Sequence, residues 1–222
     1  MKRIKAIVFD FDGLILDTET TDYEAWQAVY RAYGFELPLS IWLPIIGDAT
    51  QDFKIDQHLV ELTGKPIDRA ELRRRQRALH LEMLENVGPM PGVEDYIHTA
   101  KGLDIRVGVA SGSMRSWVVD RLDRLGLADH FETVVCRDDV GRAKPDPAAY
   151  ITAIKNLGTS PDQALALEDS PPGVKAAKNA GLYCVAVPGP MTKNHSFHDA
   201  DMRLESLTEI PLRELLETVS IH

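Results

Sequence analysis

Apolar runs that break off at charged or hydroxyl-bearing groups set the strongest constraint on this chain. Residues 5–10 (KAIVFD) run into Asp10-Phe11-Asp12-Gly13, residues 106–110 (RVGVA) into Ser111-Gly112-Ser113, and residues 164–167 (ALAL) into Glu168-Asp169-Ser170. A further such segment, Ala143-Lys144-Pro145, stands in the loop between an apolar stretch at 132–136 and the next helical pattern. Short apolar runs bounded by turn residues read as buried strands, and strands that alternate with helical patterns point to a parallel sheet covered on both faces. In such a sheet the carboxyl ends of the strands share one edge, and ligands sit beyond that edge. The four segments are therefore expected to converge.

The alternation is interrupted once. From residue 20 to 33 the apolar positions follow helical spacing, with Trp26, Val29, Tyr30 and Tyr33 on one stripe and Gly34 as the stop. Helical stretches follow near 51–62 and 69–85, separated by Gly64-Lys65-Pro66, and no strand pattern lies among them. After Pro89-Met90-Pro91-Gly92 the alternation resumes, with helices near 93–101, 115–125, 147–157, 173–180 and 211–219 and strands near 106–110, 132–136, 164–167 and 183–187. The expected architecture is an α/β core formed by residues 1–17 and 88–222, with a helical insertion at 18–87.

Composition narrows the function classes. A net charge of −9 over 222 residues argues against a nucleic-acid surface, which needs a basic stripe. No apolar stretch approaches the ~20 residues of a membrane span. The sequence runs from Met1 directly into the first strand pattern, without the charged and apolar regions of a signal peptide, so a cytoplasmic location is expected. Cys136 and Cys184 both fall in apolar strand patterns and read as buried reduced thiols, not as a disulfide. Nothing in the pattern signals an oligomer, and a monomer is the expectation.

The strand ends carry the chemistry. Asp10 and Asp12, two apart in an extended chain, face the same way, and Gly13 permits the tight turn behind them. A carboxylate can attack phosphorus and split hydrolysis into two easier steps. A second carboxylate can protonate the leaving oxygen and later deprotonate water. Two anions repel, so the attack needs a cation between them. Glu168 and Asp169, adjacent acids at the end of a buried strand, are costly unless a cation or hydrogen bonds satisfy them, and carboxylate oxygens suit Mg2+. Ser111 and Gly112 offer a hydroxyl and backbone N–H groups to a phosphate, and Lys144 offers a point charge. Each segment also has a plainer reading: an Asp-Gly turn, Ser170 as an N-cap ahead of Pro171-Pro172, a helix start at Ser111 and a Lys-Pro loop.

Taken together, Asp10-Phe11-Asp12-Gly13 with Leu16-Asp17-Thr18-Glu19, Ser111, Lys144-Pro145-Asp146-Pro147, and Glu168-Asp169-Ser170 continuing to Gly173, Ala176-Ala177 and Ala180-Gly181 identify a family. The chain resembles the haloacid-dehalogenase-like phosphohydrolases, in the branch of β-phosphoglucomutase and the sugar-phosphate phosphatases. The resemblance spans essentially the whole chain. It implies a Rossmann-like core with a helical cap inserted after the first strand. It further implies Asp10 as nucleophile, Asp12 as general acid/base, and Ser111 and Lys144 as holders of the phosphoryl group. Mg2+ would be bound by Asp10, the Asp12 carbonyl and Asp169, with Glu168 supporting through water. The implied partner is a small phosphorylated metabolite, with a sugar phosphate as the family default.

Two departures separate the chain from the mutases of that branch. Asp22 stands where they carry a histidine, and Thr50 where they carry the cap arginine that grips a second phosphate; no arginine occurs between Gly34 and Pro66. Both favour hydrolysis over mutase chemistry. A metal-independent dehalogenase is disfavoured by Asp12 and the Glu168-Asp169 pair, and a receiver-like phosphoacceptor by the helical insertion. Substrate contacts are expected from among Asp22, Trp42, Thr50 and Arg73. The remaining features read as ordinary. His195 and His198 belong to a solvated loop, Arg73-Arg74-Arg75 and Arg77 to a solvated helix face, and Trp26, Trp42 and Trp117 to core or hinge packing. Cys136 reads as a buried strand residue.

Overall fold

The computed structural model describes residues 3–46 and 54–220. Its centre is a six-stranded sheet in the order β3-β2-β1-β4-β5-β6. β1 (Ala6–Phe9) is followed by α1 (Thr18–Ala32), α2 (Leu39–Trp42), α3 (Ile55–Thr63), α4 (Arg69–Leu84) and α5 (Val93–Gly102) before β2 (Arg106–Ala110). Then come α6 (Arg115–Arg124), β3 (Thr133–Val135), α7 (Arg137–Val140), α8 (Ala148–Asn156), β4 (Ala164–Glu168), α9 (Pro171–Asn179), β5 (Tyr183–Ala186), β6 (Met202–Arg203) and α10 (Leu212–Ser220). Every neighbouring pair of strands is parallel.

The strands are continuous apolar runs because both of their faces are covered. β1 and β4 have no exposed residue, and alternate side chains enter two separate cores. Ile7, Phe9, Val107, Val109, Leu165 and Leu167 pack on one side against α5, α6 and α10. Ala6, Val8, Ala110, Ala164 and Ala166 face the other way, toward Tyr150, Ala153, Val174 and Ala177 of α8 and α9. Small alanines on that face let both helices lie close to the strands. At roughly 1.5–3 kcal/mol for each large side chain removed from water, these two cores dominate the stability of the sheet.

The chain leaves β1, builds outward through β2 and β3, then crosses back to β4 on the other side of β1. The order therefore reverses between β1 and β4, the place where open parallel sheets bind ligands. Register brings Phe9 opposite both Val109 and Leu167, so Asp10, Ser111 and Glu168-Asp169 emerge side by side. Three of the four segments thus converge as expected.

Helices α1 to α4 form the inserted cap, with a core of their own in which Trp26, Tyr30, Leu37, Trp42, Leu59 and Leu72 are buried. α1 begins at Thr18, earlier than the apolar stripe indicates, because Asp17 accepts the Thr20 N–H as N-cap. α9 begins at Pro171, ahead of the expected 173, because proline at the first helical position loses no hydrogen bond; Ser170 caps it by accepting the Gly173 N–H. Three elements carry no periodicity long enough to read: the single-turn α2 and α7, and β6, held to β5 by Asp201 N–H to Cys184 O and Leu204 N–H to Ala186 O. Both cysteines are buried and free. Among the described residues, no helix is long and apolar enough to cross a membrane.

Candidate active site

Asp10 continues the β1 ladder, its N–H bonding Leu167 O at 2.9 Å. The chain then folds back on itself, with Ile15 N–H on Phe11 O and Gly13 N–H on Leu16 O. Gly13 has φ +81°, a left-handed conformation, and a Cβ there would lie 2.2 Å from Asp169 Oδ2. Glycine is thus required twice over, by backbone and by the carboxylate that occupies its side-chain space.

Lys144 reaches in from the loop before α8, its peptide bond to Pro145 being cis. Its ammonium lies 2.5 Å from Asp10 Oδ1 and 2.6 Å from Glu168 Oε1. Glu168 is fully buried. Oε1 also accepts the Tyr150 hydroxyl at 2.6 Å, and Oε2 faces the Ser170 N–H and hydroxyl at 3.4 and 3.3 Å. Asp169 Oδ2 accepts from Thr192 Oγ1 at 3.4 Å. One oxygen each of Asp10, Glu168 and Asp169 lie within 4.8 Å of one another.

This cluster is short of positive charge. Burial, then repulsion from Glu168, pushes the Asp10 carboxyl up to about 7 despite Lys144. Burial and the charges of Asp10 and Glu168 hold Asp169 well above the usual carboxylate range. Burial works against the Lys144 ammonium, but Asp10 and Glu168 outweigh it and hold its pKa above that of a free lysine. Three buried acids sharing one ammonium, with oxygen-only donors, fit a hard divalent cation.

Asp12 is held by a different set of groups. Its Oδ1 accepts the Thr18 hydroxyl at 3.0 Å and the Trp117 indole N–H at 2.9 Å. Its Oδ2 accepts the Ser113 hydroxyl at 2.6 Å and the Ser111 hydroxyl at 3.4 Å. Ser111 is buried, and its Oγ accepts the Ser113 N–H at 3.0 Å. Ser111 is not a helix cap: α6 starts at Arg115, after Met114.

Between cap and core lies a cleft of about 740 Å³. Asp10, Asp12, Gly112, Lys144 and Asp169 line its floor, and Asp22, Trp42, Arg73, Gln76, Arg77 and His80 its cap side. Asp22 accepts from the Gln76 amide; burial, opposed by Arg77, pushes its carboxyl up to about 7. Burial and the neighbouring Asp12 and Asp22 hold Glu19 well above its ordinary range. His80 meets Thr21 Oγ1 at 3.1 Å, and burial takes its imidazole down to about 4.

Asp10, Asp12, Gly112, Lys144, Asp169 and Asp22 thus line one cleft, with Ser111 on Asp12 and Glu168 on Lys144 behind them. Thr50 lies outside the described residues. Two sequence expectations are corrected. Arg73 and Arg77 of α4 face the cleft, with Arg73 on Asp56 at 2.7 Å, so the arginine run is not merely a solvated face. Trp117 is half-buried and bonded to Asp12, not simply packed. Tyr150, Thr18 and Gln76 went unread as site residues because hydroxyls and amides on amphipathic helices carry no spacing signature of their own.

Residues 7–187 match the family model described as haloacid dehalogenase-like hydrolase. The chain is 45% identical over 214 residues, 96% of its own length and 97% of the relative's, to YhcW of Bacillus subtilis (strain 168), provisionally named a phosphatase. It is 32% identical over 187 residues, 84% of this chain and 97% of that protein, to the fructose-1-phosphate phosphatase YqaB of Escherichia coli (strain K12). A crystal structure from Thermotoga maritima, provisionally named a β-phosphoglucomutase, superposes with a TM-score of 0.81 at 26% identity, covering 96% of this chain and 99% of that one.

Proposed function

Since the chain belongs to the haloacid dehalogenase-like hydrolases and is a phosphoric monoester hydrolase, we propose that it releases phosphate from a small phosphorylated metabolite, a sugar phosphate, through an aspartyl-phosphate intermediate on Asp10. One observation carries the reading: Asp10 stands where the sheet order reverses, against Lys144 and beside Asp169, with Asp12 and Ser111 at the same edge. The sugar-phosphate assignment draws on the fructose-1-phosphate phosphatase relative.

In this mechanism the phosphoryl group lies among Asp10, Ser111 and Lys144. An Asp10 oxygen bonds to phosphorus as the ester oxygen departs, and Asp12 gives that oxygen a proton. Asp12 then takes a proton from water, whose oxygen attacks phosphorus and frees Asp10. Asp10, Asp169 and the Asp12 carbonyl would hold Mg2+, with Glu168 behind them keeping Lys144 in place. Bound there, the ion supplies the positive charge that lets the Asp10 carboxylate approach an anionic phosphate. The cap, residues 18–87 in this reading, closes the cleft during the attack by Asp10, excluding water at that step and placing Asp12 at the leaving oxygen.

The test is phosphate release, with Mg2+, from a panel of sugar phosphates and a generic aryl phosphate, with Asp10→Asn as control. Selective release by the wild type alone supports the reading, and hydrolysis by the variant removes Asp10 as nucleophile. Arg77 on the cleft gives a mutase reading one foothold, since a mutase must grip a second phosphate. Conversion of a hexose 1-phosphate to the 6-phosphate without net phosphate release would favour that alternative.

A further inference from the structure

Resting on the reading of Asp12 as general acid/base, we propose that Trp117 is a positioning residue that fixes Asp12 Oδ2 as the oxygen that gives and takes the catalytic proton. An indole N–H is a donor only, with no lone pair to offer in return. The Trp117 N–H points at Asp12 Oδ1 from 2.9 Å, so a proton on Oδ1 has only the Thr18 side open to it and leaves the indole donating to a protonated oxygen, a much poorer acceptor. The groups on Oδ2 behave otherwise. Ser113 and Ser111 are hydroxyls, which turn to accept as readily as they donate. A proton on Asp12 therefore belongs on Oδ2, where Ser113 at 2.6 Å can accept it or hold its place.

That oxygen is the one beside a group assigned to the phosphoryl. Oδ2 lies 3.4 Å from Ser111 Oγ, the hydroxyl assigned to the phosphoryl group, and Oδ1 is turned toward Thr18 and Trp117. In the first step the Asp10 oxygen–phosphorus bond forms, the phosphorus–ester oxygen bond breaks, and the Oδ2 proton moves to the departing oxygen. In the second, Oδ2 takes a proton from water while the water oxygen bonds to phosphorus and the Asp10 oxygen leaves.

The indole is itself placed by both parts of the molecule. Arg77 of α4 has its guanidinium carbon 4.3 Å from the ring centroid, and the His80 ring lies 5.5 Å away. Arg121 of α6 sits 5.3 Å from the same ring on the core side. The orientation of Asp12 is thus tied to cap helix α4 through a side chain of the core.

Leaving groups provide the test. An alkyl phosphate needs its departing oxygen protonated, whereas dinitrophenyl phosphate does not. The value of kcat/KM is measured for both with wild type, Trp117→Phe and Asp12→Ala. A fourth protein carries benzothienylalanine at 117, which keeps the indole shape without the N–H. Asp12→Ala checks the underlying reading: it should lose alkyl hydrolysis and largely spare the aryl ester. Both position-117 proteins should then lose about tenfold on the alkyl phosphate and less than about threefold on the aryl one. Equal losses on the two esters, or none, in the benzothienylalanine protein overturn the proposal while leaving Asp12 in its role. An Asp12→Ala protein that treats both esters alike removes the premise and the proposal together.

Discussion

The ammonium of Lys144 lies 2.5 Å from Asp10 Oδ1, joining two residues 134 positions apart in the chain at the point where the sheet reverses its order. The same nitrogen serves Glu168, so one cation answers two buried carboxylates while Asp169 stands beside them. Charge in this cluster is balanced only partly by the chain's own groups. That imbalance shapes both its stability and its chemistry.

Removing the ammonium tests the balance directly. Breaking a buried pair by deleting one partner costs about 3–5 kcal/mol. For a domain of this size that is a fall in Tm on the order of 10 °C for Lys144→Met. The pH dependence has a definite sign. Without Lys144, Asp10 and Asp169 hold their protons to still higher pH in the folded state than when unfolded, so folded stability falls more steeply as pH rises. The gap between wild type and Lys144→Met, measured in chelator, should widen from pH 5 to pH 8. A constant gap would mean that the lysine contributes packing alone.

A divalent cation should act on stability as well as on turnover. Chelator is expected to abolish phosphate release, and Mg2+ at about 100 times its Kd should add about 2.7 kcal/mol to the folded state. Burial, with Glu168 repulsion, holds Asp10 near 7, and burial holds Asp169 well above its ordinary range, so protons compete with the metal. The rise in Tm on adding Mg2+ should therefore be larger at pH 8 than at pH 6. Full activity in excess chelator would remove the metal from the mechanism.

Much of this site was legible in the sequence because a parallel sheet imposes its own geometry. Once residues 5–10, 106–110 and 164–167 read as strands, Asp10, Ser111 and Glu168-Asp169 had to emerge on one edge, and they do. Side-chain direction was less accessible. Asp10 and Asp12 share a face of the extended chain, yet Asp10 is taken by Lys144, whereas the turn at Gly13 leaves Asp12 among hydroxyls and an indole. Trp117 and Arg77 meet only because α4 packs over the start of α6, a tertiary fact that no local pattern encodes.

Asp22 offers a test of the cap wall. It is half-buried, and burial, only partly opposed by Arg77, lifts its carboxyl to about 7. A carboxyl raised in the folded state destabilises that state as pH climbs from about 4 to 7, because the unfolded chain has already given up its proton. Asp22→Asn removes the charge while keeping an oxygen for the Gln76 amide. The variant should melt about 2–4 °C higher than wild type at pH 8, with the difference closing toward pH 5. A lower Tm at every pH would show that the carboxylate itself holds the cap in place.

The closest approach in the site yields the sharpest test. Glycine inside a helix ordinarily costs up to about 1 kcal/mol relative to alanine, so Gly→Ala should stabilise wherever there is room. Gly102 at the end of α5 has that room, with nothing within 4 Å of a built Cβ. Gly173 in the first turn of α9 does not, since its Cβ would lie 2.0 Å from Glu168 Oε2. Glu168 cannot swing aside cheaply, because Oε1 is tied to Lys144 and Tyr150. Alanine at 173 must displace either α9 or the carboxylate that holds Lys144. Overpacking of this kind costs about 1–3 kcal/mol. Gly173→Ala is therefore expected to melt several degrees below wild type and to lose at least about tenfold in kcat, while Gly102→Ala is neutral or slightly stabilising. Were the two variants to behave alike in Tm and kcat, Glu168 would not be packed against α9 in this way.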